Sequence, residues 1–390
     1  MMMLSFPWDV SSRYPFKKPF ITCMMIPTGV GASQGGYGGD ATVWMNLLAS
    51  VSDALITHPN VANAAMLQDL PQNVLYTEGA VLDGMLQGHI ALEPLPAMGH
   101  RIGVIFDAGM PERMLTHHRN VLLAHASVYG LPCIGSVLTE QPLGLELVCG
   151  ESGISMGSLS NAEVLLQAGK ALLDRGATAL VVCSYLEGPA HLVDMEASYR
   201  DGQGVDPIGG LEAIISHVLV KALGVPVANV PVFSEETAAP VMDKLLTAQV
   251  APEFITPSFA GCVLRGIRQA PPFRERREHE VQAFSQQGFM TVEDVSALVV
   301  PYNALGGVGV FAALEQHIPI IAVRSNQTVL EVTPDKLLQA MAGGTLADVV
   351  AQEPVLTTVT RTPLIEVQNY LEAAGLLQLW RMNKYPVACP

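Results

Sequence analysis

The string PTGVGASQGGYGGDA crowds Gly29, Gly31, Gly35, Gly36, Gly38 and Gly39 just ahead of a helical pattern. Glycine adopts positive φ freely and lets backbone N–H groups close on a ligand oxygen, and the following helix adds the positive end of its dipole. Thr28 and Ser33 set hydroxyls beside those amides. The chemistry expected is capture of a phosphate, carboxylate or oxyanion; a close-packed turn or surface flap is the alternative. No GK[ST] follows, and GVGASQ lacks the GxGxxG spacing of a dinucleotide turn, so the stretch carries no nucleotide signature.

Four further clusters could act with it. THPN sets His58 and Asn60 at the end of a strand-like run, where an imidazole that titrates near neutrality serves as general acid or base, or simply hydrogen-bonds a carbonyl. YTEG and IFDAG place Glu78 and Asp107 at the ends of apolar runs before glycine, the position of catalytic carboxylates and equally of turn residues. GVDPIGGLEAIISH carries Glu212 and His217, five residues apart and so without a cleanly shared helical face; they read as site residues or as a cap and a satisfied core polar. NALGGVGV offers Asn303, Gly306 and Gly307 ahead of another helix, and AVRSNQ offers Arg324 and Asn326, suited to a forked grip on an anion or to a salt bridge. ESGISMGSLSN adds a small-residue loop whose serines could bind a second anionic group. The Glu212–His217 spacing fits no zinc helix, so no metal is assigned, and the cofactor stays open.

Such groups need a rigid frame. FITCMMIP, ALITHPN, NVLYTEG, HRIGVIFDAG, LPCIGSVLT, TALVVCSYLEG, ANVPVF, ALVVP and PIIAV read as buried strands, and between many of them lie helical patterns such as PERMLTHHRNVLLAHASVYG and NAEVLLQAGKALLDRGA. Strands separated by helix-length crossovers imply an α/β fold of mostly parallel, doubly wound sheets. The chain has 390 residues, beyond the size at which one core keeps growing, so two packed lobes with a ligand cleft between them are expected. The division expected is 1–235, carrying the glycine-rich loop, and 236–390, with a polar connector near 265–280 and C-terminal helices, LEVTPDKLLQAMAGG and PLIEVQNYLEAAGLLQLWRM. A weak echo links MMIPTGVGASQGGYGGDA…ITHPN to LVVPYNALGGVGVFAAL…IAVRSN: strand, proline, glycine turn, helix, strand.

Composition narrows the partners. Hydrophobic residues make up 49% against 15% charged, and 36 acids against 21 bases leave a net charge of -15, so nucleic acid and anionic membrane are disfavoured while a small anionic metabolite is not. Six cysteines with no CxxC pair fit reduced thiols, and the first twenty residues lack an apolar core; both point to the cytoplasm. The low charge fraction leaves apolar surface to hide and suggests a homo-oligomer.

PTGVGASQGGYGGDA, ITHPNVANAA, GVDPIGGLEAIISH and NALGGVGVFAAL…PIIAVRSN together resemble the DUF3326-type domain-of-unknown-function family of cyanobacteria and plastids. The resemblance spans nearly the whole chain; it implies a cytoplasmic or stromal setting and transfers no catalytic residue. The expectation is a metabolic enzyme binding a small phosphate- or carboxylate-bearing metabolite, with transferase, lyase and isomerase chemistry all open. The alternative is a non-catalytic metabolite sensor or assembly factor.

Overall fold

The structure, a computed structural model, describes residues 19–36, 41–62, 64–149, 154–186, 199, 205–235, 245–246, 251, 255–276, 288–341 and 363–383. The chain opens β1 (Ile21–Met24), α1 (Thr42–Ser50), β2 (Ala54–Thr57), β3 (Val74–Tyr76), α2 (Gly79–Leu86), β4 (Ile90–Leu92), β5 (Ile102–Phe106), α3 (Glu112–Tyr129) and β6 (Cys133–Leu138). A hairpin of β7 (Leu145–Cys149) and β8 (Ser155–Leu159) leads to α4 (Ala162–Asp174), β9 (Ala179–Leu186), α5 (Gly209–Leu223) and β10 (Val227–Phe233). The last third holds α6 (Thr256–Gly266), β11 (Phe273–Glu275), β12 (Val295–Pro301), α7 (Val308–Glu315), β13 (Ile320–Val323), α8 (Pro334–Met341), β14 (Leu364–Val367) and α9 (Tyr370–Asn383).

Two parallel sheets organise these elements. The six-stranded sheet runs β14-β13-β12-β1-β2-β3 and the four-stranded sheet β10-β9-β5-β6; two-stranded pairings, β4 with β11 and β7 with β8, complete the strands. Alternate strand residues enter two cores: Leu180 and Val182 of β9 join one, Ala179, Val181 and Cys183 the other. α2, α4, α5 and α7 cover the first core and α1, α3, α6 and α9 the second, so both faces of the sheets are covered and the strands can be apolar on both sides. Among the described residues no helix is long and apolar enough to cross a membrane.

The larger sheet is drawn from both ends of the chain. β1 pairs with β12, Met24 opposite Val299, so strands from the stretch read as an N-terminal lobe continue directly into those from the stretch read as C-terminal. Counted by order of use, its strands run 3-2-1-4-5-6, the doubly wound order, with the switch between β1 and β12. The echo of the sequence falls across that switch: β1-α1-β2 and β12-α7-β13 run outward in opposite directions, α1 on one face and α7 on the other.

Three local expectations change. RGIRQAPPFRERREHE is the end of α6, a 3-10 turn with Ile267 buried, and then β11 paired antiparallel to β4, as far as residue 276. PLIEV is strand β14, not the start of a helix, because it adds an edge to β13. ESGISMGSLSN contains β8, held by its pairing with β7 rather than by strand-forming residues. Gly38 and Gly39 lie outside the described residues.

Candidate functional site

In doubly wound sheets ligands bind outside the strand carboxyl ends at the switch. A cavity of about 360 Å³ lies there. Its wall takes Met25, Pro27 and Thr28 after β1, His58 and Asn60 after β2, Tyr76, Glu78 and Gly79 at the β3–α2 junction, and Gly307 and Val308 at the start of α7. β10 of the smaller sheet also lines it, with Asn229, Pro231 and Phe233, as does α5, with Asp206 just before it.

The glycine-rich loop reaches this wall at Thr28 and Gly36. Gly36 has φ +72°, and a Cβ there would sit 2.6 Å from Asn60 Oδ1. Its N–H donates to Asn60 O at 2.7 Å, while Asn60 Nδ2 donates to Ile26 O and Pro27 O. Asn60 therefore ties the β1 and β2 ends together. The rest of the loop is stitched elsewhere: Gly29 packs on Ser155 and Gly35 on Ile26, and Ser33 bonds Gln327. Gln34 N–H donates to Asn326 Oδ1 at 3.1 Å. Gly31, likewise at positive φ, is not in the cavity wall.

Two imidazoles meet at Gly79. A Cβ placed on that glycine would lie 3.7 Å from His217 Nε2 and 4.0 Å from His58 Nδ1. Ile26 N–H donates to His58 Nε2 at 3.1 Å, which makes that nitrogen an acceptor and leaves the ring proton on Nδ1, facing the Gly79 hollow. Burial, then the neighbouring His217, pushes His58 down to about 4, and burial lowers His217 as well. Both rings are neutral at pH 7, one presenting a donor and the other able to accept.

The carboxyls are displaced in the opposite direction. Burial lifts Glu78 to about 8 despite its hydrogen bond to Ser216. Glu212 also rises to about 8, through burial, then Asp206, then Glu78, although Asn229 Nδ2 donates to its Oε1 at 2.9 Å. Asp206 rises to about 6; its Oδ1 accepts from the N–H groups of Ile208 and Gly209 and so starts α5. Near neutrality Glu78 and Glu212 therefore hold their protons. Glu212 and His217 share the cavity despite their five-residue spacing, because Gly209, Glu212, Ala213, Ser216 and His217 recur along one side of α5.

Of the expected site residues, the structure thus gathers His58, Glu78, Glu212, His217, Thr28, Gly36, Asn60 and Gly307 in one wall. It does not bring Asp107 there. That carboxylate, at the end of β5, accepts from the amides of Gly109, Leu143 and Tyr185 and so ties two loop segments to β9. Arg324 pairs with Glu366 and stacks 4.4 Å over Tyr302, so its guanidinium is engaged away from the cavity. Asn326 holds Gln34 and Tyr370, Asn303 holds the carbonyls of Thr328 and Leu330, and Gly306 packs on Val332.

Tyr76, Gly79, Asp83 and Asn229 complete the site without having been singled out as its members, and Asp206 joins Glu212 and His217 from GVDPIGGLEAIISH. Asn229 had a sequence signal, a lone amide inside the apolar strand VANVPVF. Some suggestive strings come to nothing. Gly31-Ala-Ser33-Gln-Gly35 and Gly153-Ile-Ser155-Met-Gly157 both have nucleophile-elbow spacing, yet Ser33 is exposed in mid-loop and Ser155 opens β8, its hydroxyl donating to Pro207 O. Gly307-Val-Gly309-Val-Phe-Ala312 has the spacing of a dinucleotide turn, but a Cβ on Gly309 would strike Met25 Cε at 2.5 Å and Asp83 Oδ1 at 2.7 Å. Gly309 is thus packed against Met25 and Asp83 rather than open to a ligand. Cys23 and Cys183 are pushed up to about 12 by burial and are not nucleophiles. Among the described residues, no three His, Cys, Asp or Glu side chains group to hold a metal ion.

A family model described as "Protein of unknown function (DUF3326)" matches residues 21–386. A protein of the cyanobacterium Synechococcus described as "Uncharacterized lipoprotein" is 32% identical over 365 residues, 94% of this chain and 92% of its own length. No solved structure matches.

Proposed function

Because the chain belongs to the DUF3326 family, whose description carries no activity, its chemistry has to be read from its own cavity, and we propose that it is an enzyme moving protons on a small metabolite held there. The observation that carries this is the meeting of His58 Nδ1 and His217 Nε2 over Gly79, beside a carboxyl poised near neutrality. General acids and bases work best when their pKa lies close to the operating pH. In this reading His217 accepts a proton and its imidazolium returns it, and His58, oriented by Ile26, donates a hydrogen bond to the reacting group. Isomerase or lyase chemistry fits such a set better than group transfer. The phosphate or carboxylate expected from the glycine loop has less support, since the amides of Gly36 and Gln34 are already bonded within the protein.

The proposal extends to a ligand seated between two packed lobes, a cytoplasmic setting and a homo-oligomer. Exposed Leu123, Val128 and Tyr129 on α3 support the last. Cell fractionation tests the location, which the relative's description as a lipoprotein puts in question. The activity is tested by a thermal-shift screen of small amines, hydroxy acids, keto acids and sugar phosphates, followed by turnover and solvent-proton exchange on each hit. His217→Gln is expected to slow turnover by about 10²–10⁴-fold with binding retained. Unchanged turnover removes His217 from the chemistry; binding without any turnover favours the sensor reading.

A further inference from the structure

Each helix start at the cavity already has a carboxyl of its own. Glu78 is the N-cap residue of α2, Asp206 binds the first amides of α5, and Asp83, one turn into α2, accepts from Gly309 at the start of α7. Glu212 lies in the first turn of α5. The positive start of α5, which would ordinarily attract an anion, is therefore matched from within the chain by Asp206. The charge-bearing groups of the described wall are then these four acids and the two histidines, which burial holds neutral, together with Tyr76 and Tyr199. Tyr76, Phe233 and Phe259 contribute ring surface.

One acid is conspicuously unfinished. Glu78 is only 5% exposed, it stands in the cavity wall, and among the described residues neither its Oε1 nor Asp83 Oδ1 has a hydrogen-bond partner. A buried acceptor left unmatched is destabilising until a donor arrives. A fully ionised phosphate or a carboxylate brings no donor and adds repulsion from Asp206. An ammonium group brings three N–H donors and a positive charge, and aromatic faces favour it further. Resting on the catalytic reading above, we propose that the metabolite bound in this cavity carries a protonated amine, held by Glu78 with Asp83, Asp206 and Glu212 around it.

Proton release follows from this arrangement. Glu78 and Glu212 rest protonated near pH 7, and a bound cation favours their ionised forms, so binding expels protons to solvent and tightens as pH rises toward 8. Groups facing Glu78 that shape this response are Asp83 on α2, Asp206, Glu212 and His217 on and before α5, His58 after β2, and Tyr76 on β3.

The test is calorimetry and thermal shift on the full chain with a matched four-carbon set: 1-aminobutane, 1,4-diaminobutane and 4-aminobutyrate against 1-butanol, succinate and inorganic phosphate. At least one amine is expected to bind, with a heat that changes between buffers of different ionisation enthalpy, while 1-butanol, succinate and phosphate do not bind. Glu78→Gln should weaken the amine at least about tenfold, as loss of a buried charge partner does. Asp83→Asn supplies a second variant should the first fold poorly. Silence from every amine, or binding of succinate or phosphate in their place, overturns the proposal. An anion that binds and is turned over leaves the catalytic reading standing and removes the amine; an amine that binds with no turnover does the reverse.

Discussion

Glu78 and His58 bury ionisable groups with opposite consequences for stability. Glu78 moves from an ordinary 4.5 to about 8, so between those values the folded chain holds a proton that the unfolded chain has released, and stability falls as pH rises through the window. His58 moves from 6.5 to about 4, so between those values the folded chain holds fewer protons, and stability is lost as pH falls. The two slopes oppose one another from 4.5 to 6.5; above that, of these two groups, only Glu78 contributes. Glu78→Gln removes the carboxyl slope. Relative to the native chain it is expected to gain on the order of 2 kcal/mol in urea unfolding between pH 5 and pH 9, a discounted share of the full linkage. A difference that stays flat across that range would show that Glu78 titrates normally. Both residues stood out in the sequence as polar groups at strand ends, but the direction of their shifts did not, because it depends on neighbours as distant in the chain as Ser216 and His217.

At the level of elements, α5 is set in place by the β7–β8 hairpin. Gly210 N–H donates to Ser155 Oγ at 3.2 Å, Ser155 N–H donates to Gly29 O, and a Cβ on Gly210 would fall 2.2 Å from Ser155 O. Backbone meets backbone there, so neither side can give by rotating a side chain. Gly210→Ala is expected to destabilise the fold by about 1–3 kcal/mol and to shift the start of α5, with Asp206 and Glu212 on it. Urea unfolding and the response to any cavity ligand measure both effects; full stability in the variant would show that the hairpin yields. This contact was illegible beforehand. ESGISMGSLSN is rich in glycine and serine, which form strands poorly, and becomes one only because LELVC lies alongside.

For the whole molecule, the joining of β1 to β12 makes the first and last thirds of the chain one body. A fragment of residues 19–235 keeps β1, β2 and β3 but loses the other three strands of their sheet, leaving Cys23 and Met24 beside an open edge. It is expected to lack a cooperative thermal transition by circular dichroism, whereas the full chain melts with its two ends together. A cooperative melt of the fragment alone would mean that the four-stranded sheet and half of the larger one suffice for folding. Lobes cut by sequence position presuppose that neighbours in the chain are neighbours in space, which a doubly wound sheet closed by its last strands violates.

The alternation of apolar runs with helix-length segments was enough to determine parallel sheets covered on both faces, because only crossovers of that length can join parallel strands. The polar ends of ITHPN and YTEG, and the Glu212–His217 pair, already marked members of the site, since strand ends and helix starts are where backbone geometry projects side chains outward. Tertiary structure alone decided which of these ends converge. It sent Arg324 to Glu366 and Asp107 to three backbone amides, brought His217 and His58 to the same glycine, and placed a carboxyl at each helix start beside the cavity. Those outcomes depend on the switch between β1 and β12 and on the packing of α5 against it, contacts between residues hundreds of positions apart that no local pattern encodes.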